Sequence, residues 1–463
     1  MHDLAIIGGG PGGYVAAIRG AQHGLKVLLV EKGALGGTCL NRGCIPTKCY
    51  VYDSKLFKAA KSSPVLSGAD SLAVDPLQMV ARKRTVVNQL VGGLGSILKS
   101  HGIDVVSGAG QLIAPGRLRV QAADGPGRDY EARNIVLATG SRPAVPPFIS
   151  VDGHFVQTTD EALDAEDLPR QLIIIGGGVI GVEMATLFLN LGVQVKILEL
   201  LPDILLTEDQ EVRRTMRRLL KRSGASLYLE ARAQDIRIAD DRVVLTFEDA
   251  GGAVHTLEAD RLLVAAGRTP VLDGIDIAAL GLETDGPFIK VNRRLQTNLA
   301  NVYAIGDVIG GMMLAHKASA EAEAAVENLL GGKKEIIAEH IPRCIWGLAE
   351  IGSVGLNEEE ARATGRRIQT GKFPFAASGA ARAMGDETGF AKIIADVDDG
   401  EILGVHIIGE HATDLIGYAV TAMTMEAAVE DLAEAVQAHP TVSETVMEAA
   451  LDWKGLAIHI PKR

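Results

Sequence analysis

The sequence predicts an α/β protein: two Rossmann-like units in tandem, then a smaller α+β domain. Three observations carry that expectation. A short apolar strand runs into a glycine-rich turn and a helix near residue 4, and the same pattern recurs near residue 172. Two strand–turn stretches, 135–143 and 262–270, repeat each other. From about residue 341 the pattern changes to strands alternating with turns, followed by two helical stretches. At ~100–200 residues per domain, the 463 residues allow two to four domains and a large core.

The first unit opens with Leu4-Ala5-Ile6-Ile7, a buried-strand pattern, then Gly8-Gly9-Gly10-Pro11-Gly12-Gly13. Ala16, Ala17 and Ile18 begin a helix, and a second strand over 26–30 closes on Glu31. This is G-x-G-x-x-G in a β-α-β unit with an acid about 20 residues on, a dinucleotide-binding pattern. Gly8 permits the tight turn, Gly10 lets the backbone approach a pyrophosphate, and Gly13 lets helix pack on strand. Glu31 can accept hydrogen bonds from an adenosine ribose. The second unit repeats the scheme: Leu172-Ile173-Ile174-Ile175, Gly176-Gly177-Gly178-Val179-Ile180-Gly181, a helix from Val182, a strand over 195–198, and Glu199. Two fingerprints imply two dinucleotides, the alternative being a duplicated fold with one empty site. A carboxylate at Glu199 accepts from a free 2′-OH and repels a 2′-phosphate, which favours NAD over NADP.

The repeated stretches 135–143 and 262–270 each close one unit, and Pro143, Pro146 and Pro147 mark a linker between them. Next come a buried strand ending in an acid, Val302-Tyr303-Ala304-Ile305-Gly306-Asp307, and an Ala- and Glu-rich helix over 315–330. The last domain offers strands over 391–395 and 403–408 and helices over 413–429 and 441–451. The expected segments are 1–147, 148–270, 271–340 and 341–463.

Composition narrows the function. Lys plus Arg total 46 against 58 Asp plus Glu, a net charge of -12 that opposes general nucleic-acid binding. Aromatics at 4% are too few for base-stacking platforms. Four cysteines do not make a secreted disulfide framework. Met1-His2-Asp3-Leu4 lacks the basic flank and apolar run of a signal peptide. The most apolar stretch, 172–191, is interrupted by Gly176, Gly177, Gly178, Gly181, Glu183 and Asn190, so it is a poor membrane span. The expectation is a soluble cytoplasmic protein with no membrane span and no metal-ligand cluster.

Cys39 and Cys44 lie in Gly36-Gly37-Thr38-Cys39-Leu40-Asn41-Arg42-Gly43-Cys44-Ile45-Pro46-Thr47-Lys48. Residues five apart on an ideal helix rise about 7.5 Å and face different ways, so a regular helix would not bridge them. Gly43 and Pro46 supply irregular backbone that could. Cys44 and Cys49 are also five apart, and spacing alone does not choose the pair. Near the end, Thr441-Val442-Ser443-Glu444 reads as a capping box, with Thr441 as N-cap, and His439 stands just before Pro440.

The segment 36–48 resembles the redox-disulfide signature of the flavin-dependent pyridine nucleotide–disulfide oxidoreductases. The two fingerprints, the 304–307 stretch and Ala438-His439-Pro440-Thr441-Val442-Ser443-Glu444 fit that family in the same order, across essentially the whole chain. Within it the likeness is greatest to the branch that oxidises dihydrolipoamide to lipoamide with NAD+. Supporting stretches are Met313-Leu314-Ala315-His316-Lys317-Ala318, Gly404-Val405-His406-Ile407-Ile408-Gly409, and Glu199.

The resemblance implies roles. Cys39 and Cys44 would form the redox disulfide, with Cys39 exchanging with substrate and Cys44 against the flavin. Lys48 would sit near the flavin ring, paired with Glu183. FAD would be held by Gly8, Gly10, Gly13, Glu31, Lys48, Gly110, Thr139, Gly140, Asp307, Met313, Ala315 and His316. NAD would be held by Gly176, Gly178, Gly181, Glu199 and Gly267. His439, oriented by Glu444, would be the acid/base and reach the disulfide of the other subunit. The active unit would be a homodimer whose C-terminal α+β domain is the interface. Its partner would be a dihydrolipoyl-bearing protein of a 2-oxo acid dehydrogenase or glycine cleavage complex.

Two segments depart from the family pattern: Pro342-Arg343-Cys344-Ile345-Trp346-Gly347-Leu348-Ala349-Glu350 and Ser378-Gly379-Ala380-Ala381-Arg382. Both are expected in the interface domain, where they would alter partner contacts and leave the redox core untouched. Cys49 and Cys344 read as single buried thiols. Two alternatives compete with the first function. Another disulfide reductase of this fold is opposed by the cysteine-free tail 455–463, where some relatives carry an extra thiol pair, and by Glu199, which opposes NADP. A flavin-bearing docking subunit without activity is opposed by the presence of both cysteines, Lys48 and His439.

Overall fold

The computed structural model describes residues 1–122 and 125–462; Arg463, the last residue of the expected C-terminal segment, lies outside the described residues. Because Leu4, Ala5, Ile6 and Val27 to Val30 are apolar without alternation, their strands pack on both faces. They form the middle of a seven-stranded sheet ordered Asp104–Ser107, Val27–Glu31, His2–Ile7, Arg128–Leu137, Arg117–Gln121, Ala109–Ala114, with Val302–Ala304 also on Arg128–Leu137. The strands around the first glycine loop are parallel, and Val302–Ala304 joins them from 165 residues downstream of Leu137. That return places Asp307 beside the first glycine loop's sheet.

The second unit has five parallel strands, ordered Ser226–Tyr228, Gln194–Leu198, Gln171–Ile175, Arg261–Val264, Val156–Gln157. A three-stranded antiparallel sheet, Arg232–Ala239, Arg242–Glu248 and Val254–Ala259, covers one face through Val243, Leu245 and Phe247. The helix Val179–Asn190 covers the other through Val182, Ala185 and Phe188. The repeated turns do more than close their own units. Ser141–Pro143 pairs antiparallel with Arg268–Pro270, with Thr269 opposite Arg142, so the two turns form one ribbon joining both units.

The C-terminal sheet is antiparallel, ordered Arg343–Trp346, Glu350–Gly355, Ile402–Ile408, Phe390–Asp396, Ile368–Pro374. Helices Ala412–Thr424 and Glu444–Trp453 bury Ile416, Ala419, Val446 and Ala449 against it. The helix expected over 413–429 is two: Ala412–Thr424 stops, Glu426 turns back at φ 55, and Val429–Glu434 starts anew. The helix expected from 441 begins at Glu444. Ion pairs bolt this domain to the second unit: buried Lys392 Nζ lies 3.0 Å from Asp209 and 3.2 Å from Glu211, and Arg343 Nε lies 2.9 Å from Glu208. No helix among the described residues is long and apolar enough to cross a membrane.

Candidate active site

The two glycine loops have the same geometry. Gly8 and Gly176 adopt φ +109 and +111, and a Cβ at either would fall 2.2 or 2.3 Å from the carbonyl oxygen of Ala138 or Ala265. A Cβ at Gly13 or Gly181 would fall 1.7 or 1.9 Å from the carbonyl oxygen of Gly8 or Gly176, so only glycine lets each helix close on its turn. The middle glycines differ: Gly178 faces open space, and Gly10 has only Gly37 Cα, 3.8 Å away. Helices Pro11–Gln22 and Val179–Asn190 start there without a side-chain cap. Their first N–H groups therefore face hollows of the kind a pyrophosphate fills.

Each acid is locked onto its own loop. Glu31 accepts from Gly9 N–H at 2.6 Å and Gly33 N–H at 2.7 Å. Glu199, buried, accepts from Gly177 N–H at 2.5 Å and Leu201 N–H at 2.8 Å. Each carboxylate has further lone pairs for a ribose hydroxyl. On the rim of the first loop, Thr139 Oγ1 is buried without a partner, an unmet polar group of the kind a bound ligand satisfies. Asp307 accepts from Ser141 Oγ, which in turn accepts from Arg268 Nε at 2.7 Å. Gly140 and Gly267 flank the ribbon turns at φ +73 and +108 with nothing within 4 Å. Gly110 packs on the first strand, where a Cβ would fall 2.8 Å from Ile7 Cγ2. Met313 precedes the helix Ala315–Leu329, and His316 Nε2 donates to the Pro342 carbonyl at 2.7 Å. The residues around both loops thus fit two dinucleotides.

The thiols meet where two helices abut. Cys39 lies on Gly37–Asn41, the chain breaks at Arg42, and Cys44 is the first residue of Cys44–Ser62 after Gly43. That break brings the sulfurs together, whereas Cys49 is buried farther along the regular helix. All four cysteines are free thiols here. Cys39 hydrogen-bonds to Cys44, which pushes Cys39 far up and draws Cys44 down. Burial opposes the shift at Cys44 and Lys48 assists it, leaving that thiol at about 7. A helix N-terminus also favours the thiolate. Lys48 Nζ lies 2.9 Å from both oxygens of Glu183, whose side chain is 9% exposed.

The first departing segment is not remote from this centre, as the sequence had suggested. Trp346 N–H donates to Glu183 Oε1 at 3.0 Å, and Lys48 Nζ lies 3.9 Å from the centre of the Trp346 ring. Trp346 does lie in the C-terminal domain, and the expectation that it leaves the redox core untouched failed because its strand is an edge that faces the redox helix. Cys344, two residues earlier, is pushed up by burial to about 11, with Lys48 pulling the other way. The second departing segment is local: Ser378 Oγ accepts from Ala381 N–H at 3.4 Å at a helix start.

His439 is not brought to the thiols within the chain. It is 78% exposed, and its Nδ1 lies 2.9 Å from Glu444 Oε1. The other oxygen, Oε2, accepts from Thr441 N–H at 2.9 Å. Glu444 therefore ties back both His439 and Thr441, but the expected capping box is not formed, because the helix starts at Glu444 itself, with Ser443 and not Thr441 as its N-cap. The reciprocal half of the capping box is missing, since Thr441 Oγ1 turns to Ala438 and Ser443 instead. Sequence reasoning missed Trp346, Ser141 and Arg268. The last two stood in the repeated turns, but the repeat gave no sign that the two turns pair with each other.

The chain matches the pyridine nucleotide-disulphide oxidoreductase family over residues 2–322 and that family's dimerisation domain over 341–450. It is 41% identical to dihydrolipoyl dehydrogenase of Bacillus subtilis, covering 99% of each chain. It is 40% identical to mitochondrial dihydrolipoyl dehydrogenase 2 of Arabidopsis thaliana, covering 99% of this chain and 92% of that one. Among solved structures it is similar to LpdA of Mycobacterium tuberculosis, with TM-score 0.91 and 27% identity over 97% of this chain and 99% of that one. The flavoprotein disulfide reductase RclA of Escherichia coli gives TM-score 0.87 and 29% identity over 97% and 98%.

Proposed function

The chain belongs to the pyridine nucleotide-disulphide oxidoreductase family, and from that premise we propose that it oxidises dihydrolipoyl groups to lipoyl disulfides with NAD+ as acceptor. The observation that carries this reading is the thiol pair at the head of Cys44–Ser62, hydrogen-bonded and flanked by the Lys48–Glu183 pair. The family uses FAD and NAD(H), and its dimerisation domain supports a homodimer. FAD, when bound, carries the electron pair between the thiols and the nicotinamide. Gly8, Gly10, Gly13, Glu31, Thr139 and Asp307 would hold it, with Gly110, Gly140, Met313, Ala315 and His316 around the site. Gly176, Gly178, Gly181, Glu199 and Gly267 would hold NAD.

The chain's own residues do the thiol chemistry. In the oxidised enzyme a substrate thiolate attacks Cys39 of the Cys39–Cys44 disulfide, and Cys44 leaves as a thiolate. The second substrate thiolate then attacks the substrate sulfur of the mixed disulfide, closing the lipoyl ring and releasing Cys39. Two electrons and two protons have left the substrate. His439 of the partner subunit, held in place by Glu444, takes the proton of the first substrate thiol, and the proton of the second passes to the Cys39 sulfur as it leaves. Lys48 stabilises the Cys44 thiolate until its electrons move on. The domain division 1–147, 148–270, 271–340 and 341–463, a lipoyl-bearing complex as partner and a cytoplasmic location belong to the same reading. Anaerobic titration with dihydrolipoamide tests it. NADH formation and a long-wavelength thiolate–flavin absorbance are expected, and bleaching by NADH alone would contradict it.

A further inference from the structure

The redox helix Cys44–Ser62 is gripped twice by one corner of the C-terminal sheet. Trp346 and Glu350 are opposite each other where strands Arg343–Trp346 and Glu350–Gly355 pair. Glu350 holds Lys55 at 2.8 Å, and Trp346 lies under Lys48, two turns earlier on the same helix. The strand Arg343–Trp346 is an edge strand, and it uses a free backbone N–H, that of Trp346, to hold Glu183. Arg343 anchors its start on buried Glu208. Three parts of the chain therefore meet at one ammonium: Lys48 from the first unit, Glu183 from the second, and the Trp346 ring from the C-terminal sheet.

We propose that Trp346 is a positioning residue for the redox centre, its ring fixing the Lys48 ammonium, and its N–H fixing Glu183, beside the thiols. The proposal rests on the disulfide-oxidoreductase reading above and deepens it. A cation over an aromatic face is held by the ring quadrupole, more strongly when half-buried, as here. The side chains that act on Cys44 are Cys39, Lys48 and Glu183, and Cys44 in turn acts on Tyr14 and Arg268. Lys48 favours its thiolate, and Glu183 opposes it. Without the ring, Lys48 keeps Glu183 and swings more freely, so its help to Cys44 weakens. The N–H contact to Glu183 survives any side-chain change, so substitution isolates the ring.

The test uses the FAD-loaded dimer reduced by two electrons and reads thiolate–flavin absorbance against pH. In Trp346→Leu the midpoint should rise by about half a pH unit or more, roughly a threefold loss of thiolate at fixed pH. Trp346→Phe, which keeps a ring, should restore most of the wild-type midpoint. Trp346→Met, closer in reach, serves the same purpose should leucine leave the site underpacked. A midpoint unmoved or lowered in both aliphatic variants, beside a normal wild-type band, overturns the proposal alone. A wild type with no such band at any pH removes the redox reading, and the proposal with it.

Discussion

At the residue scale, the centre rests on unequal thiols. Cys39 donates and Cys44 accepts, with Lys48 beside it, so one proton stays on Cys39 and the charge settles on Cys44, whose thiol lies at about 7. The sign is direct: lowering pH through that value protonates Cys44, so thiolate–flavin absorbance of the reduced enzyme should grow as pH rises past about 7. Cys44→Ser should abolish that band. Cys39→Ser should keep FAD and lose dihydrolipoamide oxidation, because the exchanging sulfur is gone. Cys49→Ser and Cys344→Ser should turn over like wild type. Loss of activity in Cys49→Ser with retention in Cys39→Ser would mean that the pair is misassigned. A second residue-scale expectation concerns Glu199. Its carboxylate is buried and fixed by two backbone N–H groups, so it cannot swing away from a 2′-phosphate. Steady-state kinetics should show NADH preferred over NADPH, and Glu199→Ala should narrow that preference mainly through KM. Faster wild-type turnover with NADPH would contradict this.

At the element scale, the start of Glu444–Trp453 does two jobs with one carboxylate. Burial pushes the Glu444 carboxyl up, but hydrogen bonds from His439 and Thr441 outweigh it and hold the group below the usual carboxylate range. It therefore remains charged at neutral pH and can both orient His439 and hold the helix start. His439→Gln should cost lipoamide turnover about 10²–10⁴-fold, the worth of a positioned general base, while NADH reduction of the flavin changes less. Glu444→Gln should cost less turnover, and ~1 kcal/mol of stability from the weakened helix start, read by denaturant unfolding. Unchanged turnover in Glu444→Gln, beside that stability loss, would leave only capping. Elements of this kind were legible where a pattern is local. Both glycine loops, their acids and the helices behind them follow from steric rules that act within about 25 residues. The joined ribbon of Ser141–Pro143 and Arg268–Pro270, and the reach of Trp346 to Lys48, were not legible. They depend on how three sheets dock, and pairings between positions over 100 residues apart leave no periodic trace in one sequence.

At the scale of the whole molecule, the proposed roles leave the site within one chain incomplete. The thiols, Lys48 and Glu183 lie together, while His439 projects from the C-terminal domain, 78% exposed and paired with Glu444. A base in solvent cannot serve thiols it does not reach, because proton transfer needs contact within hydrogen-bond range or through one water. In the proposed reading a second subunit related by a two-fold axis would resolve this: each chain would present its His439 to the other's Cys39, and the two sites would be equivalent by symmetry. Mixing two inactive variants tests the arrangement. Cys39→Ser and His439→Gln homodimers are each dead, since both of their sites carry a lesion. After dissociation and reassociation, random pairing makes half the dimers mixed. In a mixed dimer, one site takes its thiol from the His439→Gln chain and its histidine from the Cys39→Ser chain, so it carries neither lesion. The other site carries both. Activity should therefore return to about a quarter of an equal amount of wild type, one good site in every second dimer. If each site were built within one chain, every site would keep its own lesion, and the mixture would stay inactive however thoroughly the subunits exchanged. Subunit exchange followed by mass spectrometry on the same sample secures the distinction, because silence in a fully exchanged mixture would exclude the shared site.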